Sequence, residues 1–275
     1  MRAAVLWLAL LGAVPAAADT AAPRRIASIN LCTDALLFEL ADASQIASIT
    51  HLSRDPALSM HAAQARHFPV NHGRAEEFIR LRPDLVLAGG GSAPLTQDLL
   101  RRLGLRVEVV PPPATLADVV RTVRTVGELI GQPRRAEALA AALAALSTSI
   151  PKPPRQATAL IVQPGGYVPG PDTLGPSLLA LAGLADFAPS LALDAGGFVP
   201  LEALVLARPD FVVRGLSTGA GRALADEFHG HPALAVVRAA RGGLVPVAVN
   251  DAAWACGSGA LMGAVADLRA AVMPR

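Results

Sequence analysis

The sequence predicts an α/β fold of two similar lobes, each with a central, mostly parallel sheet flanked by helices, joined by one long bridging helix. Three observations carry this. Near-continuous apolar runs rich in β-branched residues alternate with longer helical segments, the pattern of parallel strands covered on both faces. The alternation restarts after Pro151-Lys152-Pro153-Pro154. A segment of the first half also recurs in the second, with Glu76 answered by Glu202, 126 positions later. A chain of 275 residues is long enough for one large domain or two lobes at ~100 to 200 residues each.

Taken in order, residues 1–18 read as a targeting segment rather than structure. Arg2 supplies the positive start, Ala3 to Val14 is uncharged and apolar, and Ala16-Ala17-Ala18 offers small residues for cleavage near Ala18. The run is shorter than the ~20 apolar residues of a membrane-spanning helix, so the expectation is an exported chain. The N-terminal lobe is expected over 25–132. Ile26 to Ile29 and Gln45 to Ile49 read as strands around a helix from Thr33 to Leu40, with Thr33 and Asp34 in its first turn. Asp84 to Ala88 and Val107 to Val110 are two more strands, separated by a helix that ends at Leu103 before the capping Gly104. Thr115 caps a helix to Ile130, stopped by Gly131.

Pro133 then opens the helix expected to bridge the lobes over 133–150. It uses almost only strong helix formers and at ~1.5 Å per residue would reach about 25 Å. The C-terminal lobe is expected over 155–275: a strand from Ala157 to Val162, a helix from Leu174 to Leu184, strands Asp210 to Val213 and Gly243 to Val247, and a last helix from Gly259 to Ala271. In the repeated segment both copies read Glu, six residues, Pro-Asp, a hydrophobic strand and Gly, with Arg before the Pro (Arg82-Pro83 and Arg208-Pro209). In each copy the Pro ends a short helix and the Asp begins a strand. The spacing exceeds the ~20 to 50 residues of a solenoid unit and fits two lobes.

Composition removes several functions. Hydrophobic residues are 52% and charged residues 17%, enough apolar surface for a sizeable core. A net charge of +2 without a basic run interleaved with aromatics excludes a nucleic-acid partner. Lys152 is the sole lysine, so no mechanism needing several amines is available. Neither a G-x-x-x-x-G-K-[ST] loop, an H-E-x-x-H helix nor a C-x-x-C pair occurs. An enzyme is therefore not expected, and no cofactor is implied.

In open α/β sheets ligands bind beyond the carboxyl ends of the strands. The loops there are Asn30-Leu31-Cys32, His51 to Arg54, Asn71-His72-Gly73 and Gly89 to Ser92 in the first lobe, and Gly165 to Val168, Arg214-Gly215 and Asn250 to Cys256 in the second. His51, His61, His67 and His72, with Asp55, form a rival reading as a site for bare Zn²⁺ or another divalent ion. An exported enzyme on the same scaffold is a further alternative, because fold alone does not set function.

Over about residues 25–272 the chain resembles the periplasmic substrate-binding proteins of ABC importers for iron-siderophore, haem and cobalamin, in the class with a rigid helix between lobes. The resemblance lies in Arg25-Ile26-Ala27-Ser28-Ile29 before Thr33-Asp34-Ala35-Leu36-Leu37, in both Glu-x6-Pro-Asp segments, in the Pro133 helix, in Pro232-Ala233-Leu234 leading through Arg238 and Gly242-Gly243 to the last strand, and in Trp254 before Gly257. It implies a monomeric periplasmic carrier that holds a metal-organic chelate between its lobes and hands it to membrane permease subunits. The ligand-facing candidates are Asn30, Cys32, His51, Arg54, His72, Tyr167, Arg214, Trp254 and Cys256. Of these, His72 and Trp254 would present flat faces to a chelate, and Arg214 a planar cation to carboxylate or phosphate. Glu76 and Glu202, one per lobe, would dock on permease arginines. The resemblance places Cys32 and Cys256 in loops of opposite lobes beside the cleft, where a disulfide, two free thiols and thiols contacting a ligand metal are all open. A lobe-to-lobe disulfide would lock the cleft. The bridging helix, lacking paired flexible strands, implies little lobe movement on binding.

Overall fold

The computed structural model describes residues 22–150, 156–193, 195–215 and 245–272; the expected leader and the Pro232 to Gly243 part of the resemblance lie outside them. Two parallel sheets form. The first takes strands β1 (Ile26–Ser28), β2 (Ile46–Thr50), β3 (Val70–Asn71), β4 (Leu85–Gly89) and β5 (Val107–Val110) in the order β3-β2-β1-β4-β5. The second takes β6 (Thr158–Val162), β8 (Ala185–Asp186), β10 (Phe211–Gly215) and β11 (Val245–Val249) in the order β11-β10-β6-β8. Every pairing in both sheets is parallel. A small antiparallel pair, β7 (Tyr167–Val168) with β9 (Gly197–Phe198), sits apart from them.

The helices are α1 (Leu31–Leu40), α2 (Ala62–Ala65), α3 (Ala75–Leu81), α4 (Pro94–Arg102), α5 (Leu116–Leu129) and α6 (Pro133–Ala144) in the first half, with α7 (Leu174–Leu181), α8 (Leu201–Ala207), α9 (Asp251–Trp254) and α10 (Leu261–Val272) in the second. Among the described residues no helix is long and apolar enough to cross a membrane. One core cluster runs from the first sheet (Ile26, Leu85) through α5 (Val119, Val123) to the second half (Ile161, Val213, Leu261, Val265).

The repeat has a structural cause. Each copy folds as a short helix whose C-cap is an arginine in the left-handed region, Arg82 at φ 45 and Arg208 at φ 57. That conformation turns the chain out of the helix, and the proline that follows cannot resume it. The aspartate then clamps the start of the neighbouring strand. Asp84 accepts from the N–H groups of Arg24 and Arg25 at 2.7 and 3.0 Å, just before β1. Asp210 accepts from the N–H and hydroxyl of Thr158 at 2.8 and 3.0 Å, at the start of β6.

Several bounds differ from expectation. Helix α1 begins two residues early because Asn30 is its N-cap: the Asn30 side chain accepts from the N–H groups of Cys32 and Thr33. The helix expected over 133–150 stops at Ala144 and continues as a 3-10 segment, Ala145–Ser149. There the hydroxyls of Ser147 and Thr148 donate to the carbonyls of Ala144 and Ala145, competing with the helical ladder. Helix α6 also packs along α5, with Gly127 against Ala136 and a two-pronged Arg124–Glu137 pair at 2.7 and 2.8 Å. At its start Arg135 donates to Leu40 O and Asp42 of the first lobe; beyond its end, Leu146 O and Ser149 accept from Arg269 of α10. Helix α7 ends at Leu181, short of Leu184, because Gly183 at φ 80 reverses the chain into β8.

Candidate functional site: the carboxyl ends of two parallel sheets

Strand order fixes where each sheet opens a crevice. The chain moves outward from β1 through β2 to β3, then crosses back to β4, so the switch in direction falls between β1 and β4. At their carboxyl ends lie Asn30 and Gly89. These two touch: a Cβ on Gly89 would fall 2.4 Å from Asn30 Cγ, so this strand end accepts only glycine. Asn30 Nδ2 also donates to Ser92 Oγ at 2.8 Å, which uses both ends of its amide on the protein. Asn30 is thus a scaffold residue of this floor rather than a group free to bind ligand.

The two halves meet at the same place. Cys32 in the first turn of α1 and Cys256 after α9 form a disulfide with a Cα–Cα distance of 4.8 Å across 224 residues of sequence. This resolves the cysteine alternatives, since neither is a free thiol and neither offers a thiolate to a metal. The bond brings the carboxyl end of β1 against that of β11, and Asn250 Nδ2, donating to Met60 Sδ at 3.2 Å, joins the β11 end to the segment after β2. Beside the disulfide a cavity of about 70 Å³ is lined by Asn30, Gly89, Gly90, Pro111 to Pro113, Ala255 and both cysteines. Small-molecule sites occupy ~300 to 1,000 Å³, so this cavity is a floor feature and no seat for a macrocycle.

The first lobe presents an imidazole pair. His51 follows β2, His72 follows β3, and their exposed rings stack at 4.7 Å between centroids. His72 Nδ1 lies 3.1 Å from Glu77 Oε1, and its backbone N–H donates to Glu77 Oε2 at 2.8 Å. Burial pushes the Glu77 carboxyl up, but the hydrogen bonds from His72 and Arg74 outweigh it and hold the carboxyl below its ordinary range. A carboxylate at Nδ1 keeps the ring proton there and leaves Nε2 with its lone pair, the form that coordinates metals. His72 Nε2 has no partner among the described residues.

The turn bearing His51 is fastened from beneath by Asp34, fully buried in α1. Its Oδ2 accepts from Thr50 N, Thr50 Oγ1 and Ser53 Oγ at 3.0, 2.7 and 2.6 Å, while Oδ1 has no hydrogen-bond partner. Burial pushes the Asp34 carboxyl up to about 6, against the hydroxyls of Ser28, Ser53 and Thr50, which lower it.

In the second lobe Tyr167 on β7 meets Phe198 on β9 edge to face at 5.4 Å. Phe198 is 71% exposed, an apolar ring held open to solvent. Sequence reasoning missed it because a lone Phe after Gly-Gly belongs to no periodic run; the two glycines before it were the available signal for an exposed turn. Arg214, half-buried near the carboxyl end of β10, has its Nε buried without a hydrogen-bond partner among the described residues, a donor with capacity to spare.

Three expected contacts are corrected. Trp254 is 3% exposed and belongs to the core, with Nε1 donating to Asp251 Oδ1 at 3.1 Å; one turn of α9 turns its ring inward, so it offers no face to a ligand. Arg54 spends its guanidinium on the carbonyls of Phe68 and Ala65 at 2.7 and 3.4 Å, pinning the loop after α2. The four histidines do not gather either: His61 pairs with Glu39 at 3.3 Å, apart from the His51–His72 stack. Among the described residues no group of three His, Cys, Asp or Glu side chains is placed to hold a metal ion, which removes the bare-ion cluster. Glu76 and Glu202 are exposed in the first turns of α3 and α8. It is Glu77, one position on, that engages His72.

Comparison with known proteins agrees with this architecture. No curated protein matches the chain in sequence. Among solved structures, a periplasmic heme-binding protein from Pseudomonas aeruginosa superposes with a TM-score of 0.69 at 23% identity, covering 90% of this chain and 92% of that one. The periplasmic heme-binding protein HutB of Vibrio cholerae gives 0.72 at 20% identity, with 91% and 99% covered. The periplasmic vitamin B12-binding protein BtuF of Vibrio cholerae gives 0.66 at 14% identity, with 90% and 96% covered. At such identities the likeness is one of fold. Residues 26–248 match the sequence profile of the periplasmic binding proteins, and with two parallel sheets meeting at their carboxyl ends, the chain belongs to that family.

Proposed function

We propose that the protein captures a metal-organic chelate, of the haem, cobalamin or ferric-siderophore kind, between its lobes in the periplasm and delivers it to an inner-membrane ABC importer, without chemistry of its own. The observation that carries this is His72: a carboxylate-oriented imidazole, stacked on His51, with Nε2 unpartnered at a sheet's carboxyl edge. Such a nitrogen completes the coordination of a metal whose other positions an organic ligand already fills. A bare ion would need three or four protein donors. Tyr167 and Phe198 offer apolar faces to the ring system, and Arg214 a cation for its acidic substituents.

In this reading residues 1–18 are a signal peptide removed near Ala18, the segment 133–150 joins lobes at 25–132 and 155–275, and the carrier works as a monomer. Glu76 and Glu202 dock one on each permease subunit. Absorption spectra of haemin and cobalamin with the parent and with His72→Ala test the site. Coordination through His72 predicts a shifted chelate band with the parent that is lost in the variant. Identical spectra for both would contradict it.

A further inference from the structure

A disulfide inside one lobe would be a brace; this one joins two lobes at the floor of their cleft. Besides the bond, the lobes are tied at this floor by Gly259 N donating to Glu39 Oε2 at 2.8 Å and by Asn250 Nδ2 on Met60 Sδ at 3.2 Å. Gly257, next to Cys256, packs on Pro113 and Val119, and Val119 and Val123 of α5 share a continuous core with Leu261 and Val265 of α10, so the pivot lies beside the bond itself. The cysteines themselves are unlike. Cys256 is 9% exposed, whereas Cys32 is half-buried and is the second residue of a ten-residue helix. A thiolate in a helix's first turn is stabilised by the unpaired N–H groups and the dipole there, which favours the reduced form of a pair. The cavity of about 70 Å³ alongside leaves room for the sulfurs to separate without disturbing the core.

We propose that Cys32–Cys256 is a reversible redox clamp on the lobes. Oxidised, it holds the floor of the cleft closed; reduced, it lets the lobes part about the α5–α10 side. The exchange is a two-electron transfer in which an exported dithiol becomes a disulfide as its two electrons and two protons pass to Cys32 and Cys256, giving two thiols. An effect on chelate retention rests on the proposed chelate-binding function. The clamp itself does not.

The test uses the exported chain, native and without denaturant, equilibrated with dithiothreitol and then re-oxidised. Thiol titration, small-angle scattering and hydrogen exchange are read in each state. The clamp predicts two titratable thiols, a larger radius of gyration, and exchange at least about tenfold faster around Asn30–Leu36, Pro111–Thr115 and Asp251–Leu261. The strands should keep their protection, and re-oxidation should restore every value. A pair reducible only after unfolding, or a reduced protein with unchanged scattering and exchange, overturns the proposal. The Cys32→Ser/Cys256→Ser double variant should match the reduced parent; should it fail to fold, native reduction of the parent still decides. Haemin titration of both states separates the two readings. Haemin that binds neither state counts against the chelate function, while scattering and exchange still decide the clamp.

Discussion

Asp34 should give this protein an inverted pH dependence over a narrow range. Its carboxyl is held near 6 in the fold against 3.8 in solvent, so keeping it ionised costs the native state about 3 kcal/mol at neutral pH. Below about pH 4 the group is protonated in folded and unfolded chains alike, and the cost is absent. As pH rises from about 4 to about 6 the unfolded chain has released a proton that the folded chain still holds, so stability falls; above that window the cost is constant. Asp34→Asn removes the titration while keeping an acceptor for Thr50 and Ser53. Glu77, Asp42, Asp118 and Glu137, all held low, lose stabilisation as pH falls, but equally in parent and variant, so they cancel in the difference. Urea unfolding at about pH 4 and about pH 7 should show the parent losing about 3 kcal/mol more than Asp34→Asn on going up. Parallel pH profiles for the two would refute the reasoning.

Other expectations follow from single contacts. Gly127→Ala places a Cβ 2.1 Å from that of Ala136; despite better helix propensity it should cost about 1 to 3 kcal/mol by prising α5 from α6, read by urea unfolding. Glu77→Gln removes the charge that orients His72 and should weaken chelate affinity by about tenfold or more in titrations, with a modest fall in melting temperature because the ionised carboxyl also stabilises the fold. Reversing Glu76 and Glu202 to Arg should leave chelate affinity alone while abolishing stimulated ATPase activity of a reconstituted importer; an unaltered ATPase would leave both residues as ordinary helix-dipole carboxylates. In the oxidised protein, scattering with and without chelate should differ little, because the disulfide and a shared core already couple the lobes.

Much of the fold was legible because parallel strands leave apolar runs. Leu85 to Ala88 and Thr158 to Val162 lie where the pattern put them. The Arg-Pro-Asp repeat carried the two-lobe organisation, and its cause, a left-handed cap followed by a strand clamp, is local enough to be written in sequence. What failed to show was direction. Trp254 sits in a strand-end loop as expected, yet α9 turns it into the core, and no periodicity exists over four residues to say so. Arg54 and Asn30 were rightly placed at strand ends but satisfy carbonyls and amides of the protein itself. The His72–Glu77 pair depends on α3 doubling back on the loop that precedes it. The Cys32–Cys256 bond depends on how two lobes are set, a relation between positions 224 apart that neither neighbourhood records.

The central claim is that the ligand is a metal already wrapped in an organic chelate. Parallel calorimetric titrations of the oxidised protein with haemin, cyanocobalamin, ferric siderophores and free Zn²⁺ test it most directly. The account predicts that one chelate class saturates the protein one to one, that His72→Ala weakens it, and that free Zn²⁺ is not retained through dialysis. Stoichiometric, dialysis-resistant Zn²⁺ with no chelate bound would contradict it.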